Sequence, residues 1–238
     1  MNNISNLRIK IFADGANLDS MIQMAKKPFI KGLTTNPTLM RQSGVTNYRE
    51  FAKSVLTMIS DKPISFEVFS DNLYEMKKQA LEIASWAENV YVKIPISNSD
   101  GTSTTGIIYD LSNKGVKVNV TACLTTDQVV EISKVLNPSI SSCVSLFAGR
   151  IADTGINPIP IMQQSLELLS PLKSCELIWA SPRELLNVIQ ANEIGCHIIT
   201  ATSNILDKLP LIGKDLNTYS LETVRMFKDD AAASGFNL

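Results

Sequence analysis

"ENVYVKIPIS" (residues 88–97) is apolar almost without a break, through Val90, Tyr91, Val92, Ile94, Pro95 and Ile96. A short continuous apolar run, unlike an alternating one, marks a strand covered on both faces, as strands of parallel sheets are. One residue breaks the pattern. Lys93 puts an ammonium inside an oily strand, which is costly unless the charge is paired or neutralised.

Working outward, similar runs recur along the chain. They are "KIFAD" (10–14), "GLTTN" (32–36), "ISFEVF" (64–69), "VYVKIP" around 91–95, "KVNVTAC" (117–123), "CVSLFAG" (143–149), "ELIWAS" (176–181) and "CHIITAT" (196–202). Helical patterns fall between them. Phe51, Val55 and Ile59 step by four, and Leu73, Met76, Ala80, Ile83, Ala84 and Ala87 follow a plausible cap at Asp71. "TTDQVVEISKVLN" opens on threonine caps, and "SPRELLNVIQANEIG" ends on Gly195 as a C′ residue would. Strands alternating with helices in this number predict an α/β fold, a (β/α)₈ TIM barrel; an open doubly wound sheet is the alternative. With no Pro/Gly/Ser-rich linker, residues 1–238 are expected to form a single domain. The tail "LETVRMFKDDAAASGFNL" reads as one more helix.

Composition excludes several classes. The 238 residues are 45% hydrophobic and carry a net charge of −1. No basic excess suggests nucleic acid or an anionic membrane, and no apolar run is long enough for a membrane span. The opening stretch "MNNISNLRIKIFAD" lacks an apolar signal-peptide core, so a cytoplasmic location is expected. Cys123, Cys143, Cys175 and Cys196 form no metal-type spacing and read as free, buried thiols. The lone histidine, His197, rules out a multi-histidine cage. Gly-rich dinucleotide and P-loop signatures are absent. No metal and no cofactor is expected.

In such a barrel the chemistry gathers at the C-terminal ends of strands. The polar residues expected there are Asp14, Asn36, Glu67, Lys93, Asn119, Thr121, Ser145, Arg150, Ser181 and Arg183. Taken singly, several have plain structural readings. Asp14 could cap a helix starting near Asn17, Asn36 before Pro37 could be a turn residue, and Lys93 with Glu67 could be a buried ion pair. Together they suit Schiff-base chemistry. An amine walled by apolar groups is more readily neutral, and a neutral amine attacks carbonyls. Asp14 and Glu67 could shuttle protons, and the two arginines could hold a phosphate.

These residues lie in motifs that resemble the transaldolase family, which includes the fructose-6-phosphate aldolases. The motifs are "FADGANLD" (12–19), "GLTTNPTLM" (32–40), "SFEV" (65–68), "VYVKIP" (90–95), "VNVTA" (118–122), "SLFAGRIAD" (145–153) and "WASPRE" (179–184), in family order over most of the chain. The resemblance implies a class I aldolase barrel with Lys93 as the Schiff-base lysine and Asp14 as the acid/base for the substrate hydroxyl. It implies that Glu67 acts through a water, helped by Thr121. Asn36 and Asn119 would bind the dihydroxyacetone part, and Ser145, Arg150 and Arg183 would bind phosphate, with Ser181 beside them. Sugar phosphates would be the substrates, in the pentose phosphate pathway.

Two positions bear on the reaction. The aldolase branch typically has Gln in place of Glu67 and Tyr in place of Phe147. Phe147 cannot shuttle a proton, which favours transfer to an acceptor over release of dihydroxyacetone. The lyase is the alternative. A barrel that only binds sugar phosphate is disfavoured, since no catalytic position is lost. Gly15, Leu146, the run 121–126 and Pro182 depart from the family pattern and are expected around the pocket. The resemblance also implies a homo-oligomer, a pentamer or decamer, with the C-terminal helix free to pack on a neighbour.

Overall fold

The computed structural model describes residues 4–236; residues 1–3 and 237–238, at the ends of the expected domain and tail, lie outside the described residues. Eight parallel strands close into a barrel in sequence order. They are β1 (Lys10–Asp14), β2 (Ile30–Thr34), β3 (Ile64–Glu67), β4 (Val90–Pro95), β5 (Val118–Cys123), β6 (Ser142–Leu146), β7 (Cys175–Trp179) and β8 (Ile198–Ala201). The helices are α1 (Leu18–Ala25), α2 (Pro37–Gln42), α3 (Tyr48–Met58), α4 (Leu73–Ala84), α5 (Thr105–Asn113), α6 (Thr126–Val135), α7 (Ala148–Asp153), α8 (Pro158–Leu169), α9 (Leu186–Glu193), α10 (Ser203–Leu206) and α11 (Leu216–Ala233). This is the expected (β/α)₈ architecture with an extra C-terminal helix.

The alternation of a pleated strand sorts each strand's side chains. Outward-facing Leu33, Phe66, Val92, Val120, Val144 and Leu177 join the helices' apolar faces in one continuous core. Inward-facing Phe12, Cys143, Ile178, Ala180 and Ile198 pack as a separate cluster on the barrel axis. Gly32 makes that plug possible. It pairs with Phe12 across the β1–β2 ladder, and a Cβ there would sit 2.4 Å from the Phe12 ring. Two residues further along β1, β2, β6 and β8, the inward positions turn polar, at Asp14, Thr34, Ser145 and Thr200, while β7 continues apolar with Ala180.

Local chemistry sets where strands stop. β2 begins earlier than expected and ends at Thr34, because Asn36 caps α2, its Oδ1 accepting from the Leu39 N–H at 2.9 Å with Pro37 at the first helical position. β6 ends at Leu146 rather than running to Gly149, since Ala148 opens α7. The cap of α4 is Asn72, not Asp71; its Oδ1 takes the N–H groups of Tyr74 and Glu75. Thr125 and Gln128 form a reciprocal capping box on α6. Gly195 has φ +75°, as its expected C′ role requires.

The last helix is unlike the others. α11 buries none of its residues, and Val224, Met226 and Phe227 stand exposed. Most helical stability comes from packing an apolar face. This face has no cover within the described residues.

Candidate active site

At the C-terminal mouth of the barrel lies a cavity of about 550 Å³. Asp14, Asn36, Glu67, Lys93, Thr121, Ser145, Arg150, Ser181 and Arg183 all line it. Of the ten residues singled out from sequence, only Asn119 does not; it sits one layer below, fully buried.

Lys93 is 6% exposed and is not bare. Its Nζ lies 3.0 Å from Glu67 Oε2 and donates to the Thr35 carbonyl at 2.8 Å. The ladder makes this pairing: β3 and β4 set Glu67 opposite Lys93, and β4 and β5 set Lys93 opposite Asn119. The ion-pair reading and the catalytic reading therefore describe the same geometry. Glu67 is both a counter-ion and the nearest base to the amine. Tyr48 of α3 braces this strand end, its hydroxyl donating to the Glu67 carbonyl at 2.7 Å. Burial pushes the pKa of that phenol up.

Asp14 does not cap α1; Asn17 does, accepting from the Ser20 N–H at 3.0 Å. The Asp14 carboxyl is thus free to face the cavity. Thr34 donates to Oδ1 at 2.7 Å, and the Asn36 amide reaches Oδ2 at 3.4 Å. Burial raises the Asp14 pKa above its ordinary 3.8, and nearby Lys93 only partly opposes this. A carboxyl moved that way holds a proton more readily than an exposed one, as an acid/base group needs to. Asn36 is a cap as well as a site residue: its oxygen holds α2, and only its amide remains for Asp14 or a ligand.

Beneath the lysine runs a polar belt. Asn119 Nδ2 donates to Ser65 Oγ at 3.0 Å, and Ser145 Oγ donates to Asn119 Oδ1 at 2.8 Å. Ser145 is thereby grouped with the cavity floor rather than with the arginines at the rim. Above the belt, the Thr121 hydroxyl is buried, lines the cavity and has no hydrogen-bond partner. An orphaned buried hydroxyl calls for a water or ligand. The β5–β6 pairing slips beside it, and Ala122 adopts φ +60°. Ser181, two residues past the end of β7, which stops at Trp179 short of the expected Ser181, has the same φ. Non-glycine residues held in this region cluster at functional sites.

The rim is cationic. Arg183 is exposed and forks onto Asp153 of α7, with Nε to Oδ1 at 2.9 Å and Nη2 on Oδ2, while Nη1 donates to Ser181 Oγ at 2.9 Å. Arg150 lies over the Phe147 ring, 5.8 Å from its centroid.

Of the departures from the family pattern, only Thr121 and Ala122 line this cavity. Leu146 and Cys123 are in the outer core, Pro182 is buried, and Gly15 borders a smaller neighbouring cleft behind Asp14. Sequence reasoning passed over Ser65, Asp153 and Thr200. Period-two counting back from Glu67 finds Ser65, and Thr200 is the polar break in an apolar strand. Among the described residues, no cluster of three or more His, Cys, Asp or Glu side chains is arranged for a metal, and no helix is long and apolar enough to cross a membrane. The four cysteines are buried and unpaired.

The family model described as transaldolase/fructose-6-phosphate aldolase matches residues 11–238. The chain belongs to this family. Transaldolase-family relatives of similar length match along most of it. A probable transaldolase from Thermoanaerobacter is 30% identical over 97% of this chain and 100% of its own. A probable transaldolase from Dehalococcoides mccartyi is 31% identical over 83% and 88% respectively, and one from Methanococcus maripaludis 32% over 84% and 89%. Among solved structures, a HpcH/HpaI aldolase/citrate lyase family protein from Burkholderia cenocepacia superposes with a TM-score of 0.56 at 14% identity, over 91% of this chain and 95% of that one. At that identity the likeness concerns the fold alone.

Proposed function

We propose that this chain is a transaldolase, carrying a dihydroxyacetone unit from a ketose phosphate to an aldose phosphate through a Schiff base on Lys93. The observation that carries the reading is the Lys93–Glu67 contact of 3.0 Å, buried at the mouth beside a carboxyl of raised pKa and an unpartnered threonine hydroxyl. Glu67 takes the ammonium proton, and the amine attacks the ketose C2 carbonyl. The carbinolamine hydroxyl leaves as water, in the space between Glu67 and Thr121. Asp14 then takes the proton of the C4 hydroxyl while the C3–C4 bond breaks, and its electron pair enters the iminium to give an enamine. The first aldose departs. Enamine C3 attacks the acceptor aldehyde, Asp14 returns its proton to the new hydroxyl, and hydrolysis frees the product ketose.

In this reading Ser145 and the Asn36 amide, which line the cavity, hold the dihydroxyacetone hydroxyls, and Asn119, expected to bind them directly, acts from one layer below by accepting the Ser145 hydroxyl. Arg150, Arg183 and Ser181 at the rim bind the phosphate in this reading. Sedoheptulose 7-phosphate and fructose 6-phosphate are the donors this reading takes, in the cytoplasmic pentose phosphate pathway. Phe147 in the cavity wall favours transfer over release, because a phenyl ring cannot help water discharge the enamine. The exposed apolar face of α11 supports assembly into a homo-oligomer, a pentamer or decamer of single-domain barrels.

Borohydride reduction in the presence of fructose 6-phosphate tests the chemistry. The expected result is a covalent adduct on Lys93, absent from Lys93→Ala; no adduct, or one on another lysine, removes the Schiff-base assignment. Following dihydroxyacetone with and without erythrose 4-phosphate tests the branch. Rapid free dihydroxyacetone without acceptor would assign the lyase instead.

A further inference from the structure

Two buried hydroxyls at the mouth have no part in the steps above. Thr34 ends β2 and Thr200 lies near the end of β8, so they flank β1, the strand that ends in Asp14. Both point into the barrel and are nearly inaccessible. Thr34 Oγ1 lies 2.7 Å from Asp14 Oδ1 and 2.5 Å from Thr200 Oγ1.

Counting hydrogens gives this chain a direction. Each hydroxyl has one hydrogen to donate, and an ionised carboxylate only accepts. The Thr34 hydrogen therefore goes to Asp14, and the short contact between the threonines is filled by the hydrogen of Thr200. The order is Thr200 to Thr34 to Asp14 Oδ1. The other oxygen, Oδ2, has only the long 3.4 Å approach of the Asn36 amide.

We propose that Thr200 is a positioning residue for Asp14, acting through Thr34: it commits Oδ1 to the hydroxyl chain and leaves Oδ2 as the oxygen that takes and returns the substrate proton. This rests on the reading of Asp14 as the acid/base of the carbon–carbon step. Serial hydroxyls polarise one another, so a Thr34 that accepts from Thr200 is a better donor to the carboxylate. The charged groups acting on Asp14 are Lys93 on β4, which lowers its pKa, and Glu67 on β3, which raises it. Thr34 and Asn36 add hydrogen bonds that also lower it, against the larger effect of burial.

The test combines Thr200→Val, Thr200→Ser and Thr34→Val in the full chain with two readouts. One is the pH profile of kcat; the other is the carboxyl-carbon resonance of Asp14, assigned with Asp14→Asn and titrated without substrate. Thr200→Val is expected to lower kcat about fivefold, the rate equivalent of one ordinary hydrogen bond. It should also move the acid limb and the Asp14 resonance to higher pH, and Thr200→Ser should restore both. In a Thr34→Val background the second substitution should add nothing. An Asp14 titration unmoved by Thr200→Val, the same displacement with Thr34 already replaced, or no rescue by serine would overturn the proposal. The resonance needs no turnover. Failure of lysine trapping would thus remove the aldol reading while the hydroxyl chain was still judged on its own.

Discussion

Gly149→Ala isolates the backbone contact on which the cationic rim depends. A Cβ at residue 149 would lie 1.6 Å from the Ser181 carbonyl oxygen and 2.7 Å from its carbon, with Arg183 Nε at 3.4 Å. Real Cβ contacts essentially never fall below 3.0 Å, so β7 and α7 must separate by roughly 1.4 Å, an overpacking strain with no flexible side chain to absorb it. Ser181 already holds φ +60° and has little freedom to yield. Overpacking of this kind costs about 2 kcal/mol, or ~4–8 °C in Tm for a chain of this size. The displaced Ser181 takes the Arg183 fork with it. Misplacing a substrate-holding group by about 1 Å costs roughly 10²-fold in rate. Differential scanning calorimetry and kcat/KM on fructose 6-phosphate and on unphosphorylated fructose, with the same acceptor, would separate the effects. The loss should be large for the phosphorylated donor and small for the unphosphorylated one. A variant with native Tm and native kcat/KM would refute the claim that this contact sets the rim.

Phe147→Tyr should raise release of free dihydroxyacetone at the expense of transfer, read from the product ratio with limiting acceptor; an unchanged ratio would count against the assignment of that wall. His197 accepts the Leu177 N–H on Nδ1 at 3.0 Å, and burial holds its pKa below the ordinary 6.5. A depressed folded-state pKa contributes stability that is complete above pH 6.5 and lost as pH falls through the lower folded value. Tm should therefore fall on acidification, and less steeply in His197→Asn, which can keep an acceptor but cannot titrate; parallel slopes would exclude His197 as the cause. Val224→Asp with Phe227→Asp should lower the mass in solution while leaving the Tm of a dilute sample nearly unchanged, since α11 buries nothing against its own barrel; native mass would place the interface elsewhere.

The barrel was legible because its strands repeat a pattern that depends on burial, and burial is written directly in side-chain type. β1 falls where "KIFAD" predicts, and each of the other strands overlaps its predicted run. The ends were less legible, since a cap decides them. Asn36 and Ala148 stop β2 and β6 by starting helices, and those short helices carry little periodicity. α5, "TGIIYDLSN", was not among the helices read from sequence, and its N-terminus has no side-chain cap hydrogen bond. At the mouth, Glu67 and Lys93 stood out because each interrupts an apolar strand, and alternation put Asn119 and Thr121 on one side of β5. What sequence could not supply was the distance between strands far apart in the chain. The closeness of Thr34 to Thr200, and the fork of Arg183 on Asp153, exist only once the barrel closes.

Closure at the other end has a consequence for traffic. With Phe12 filling the space above Gly32, and Ile178 and Ile198 beside it, the barrel axis is stoppered and the chamber opens through its mouth. Molecules that share one doorway must take turns. Under the proposed transfer, the departing aldose and the incoming aldehyde would pass through the same mouth, so departure before entry is the expected order. For a transferase this is the architecture of a ping-pong cycle, with double-reciprocal plots at different acceptor concentrations running parallel.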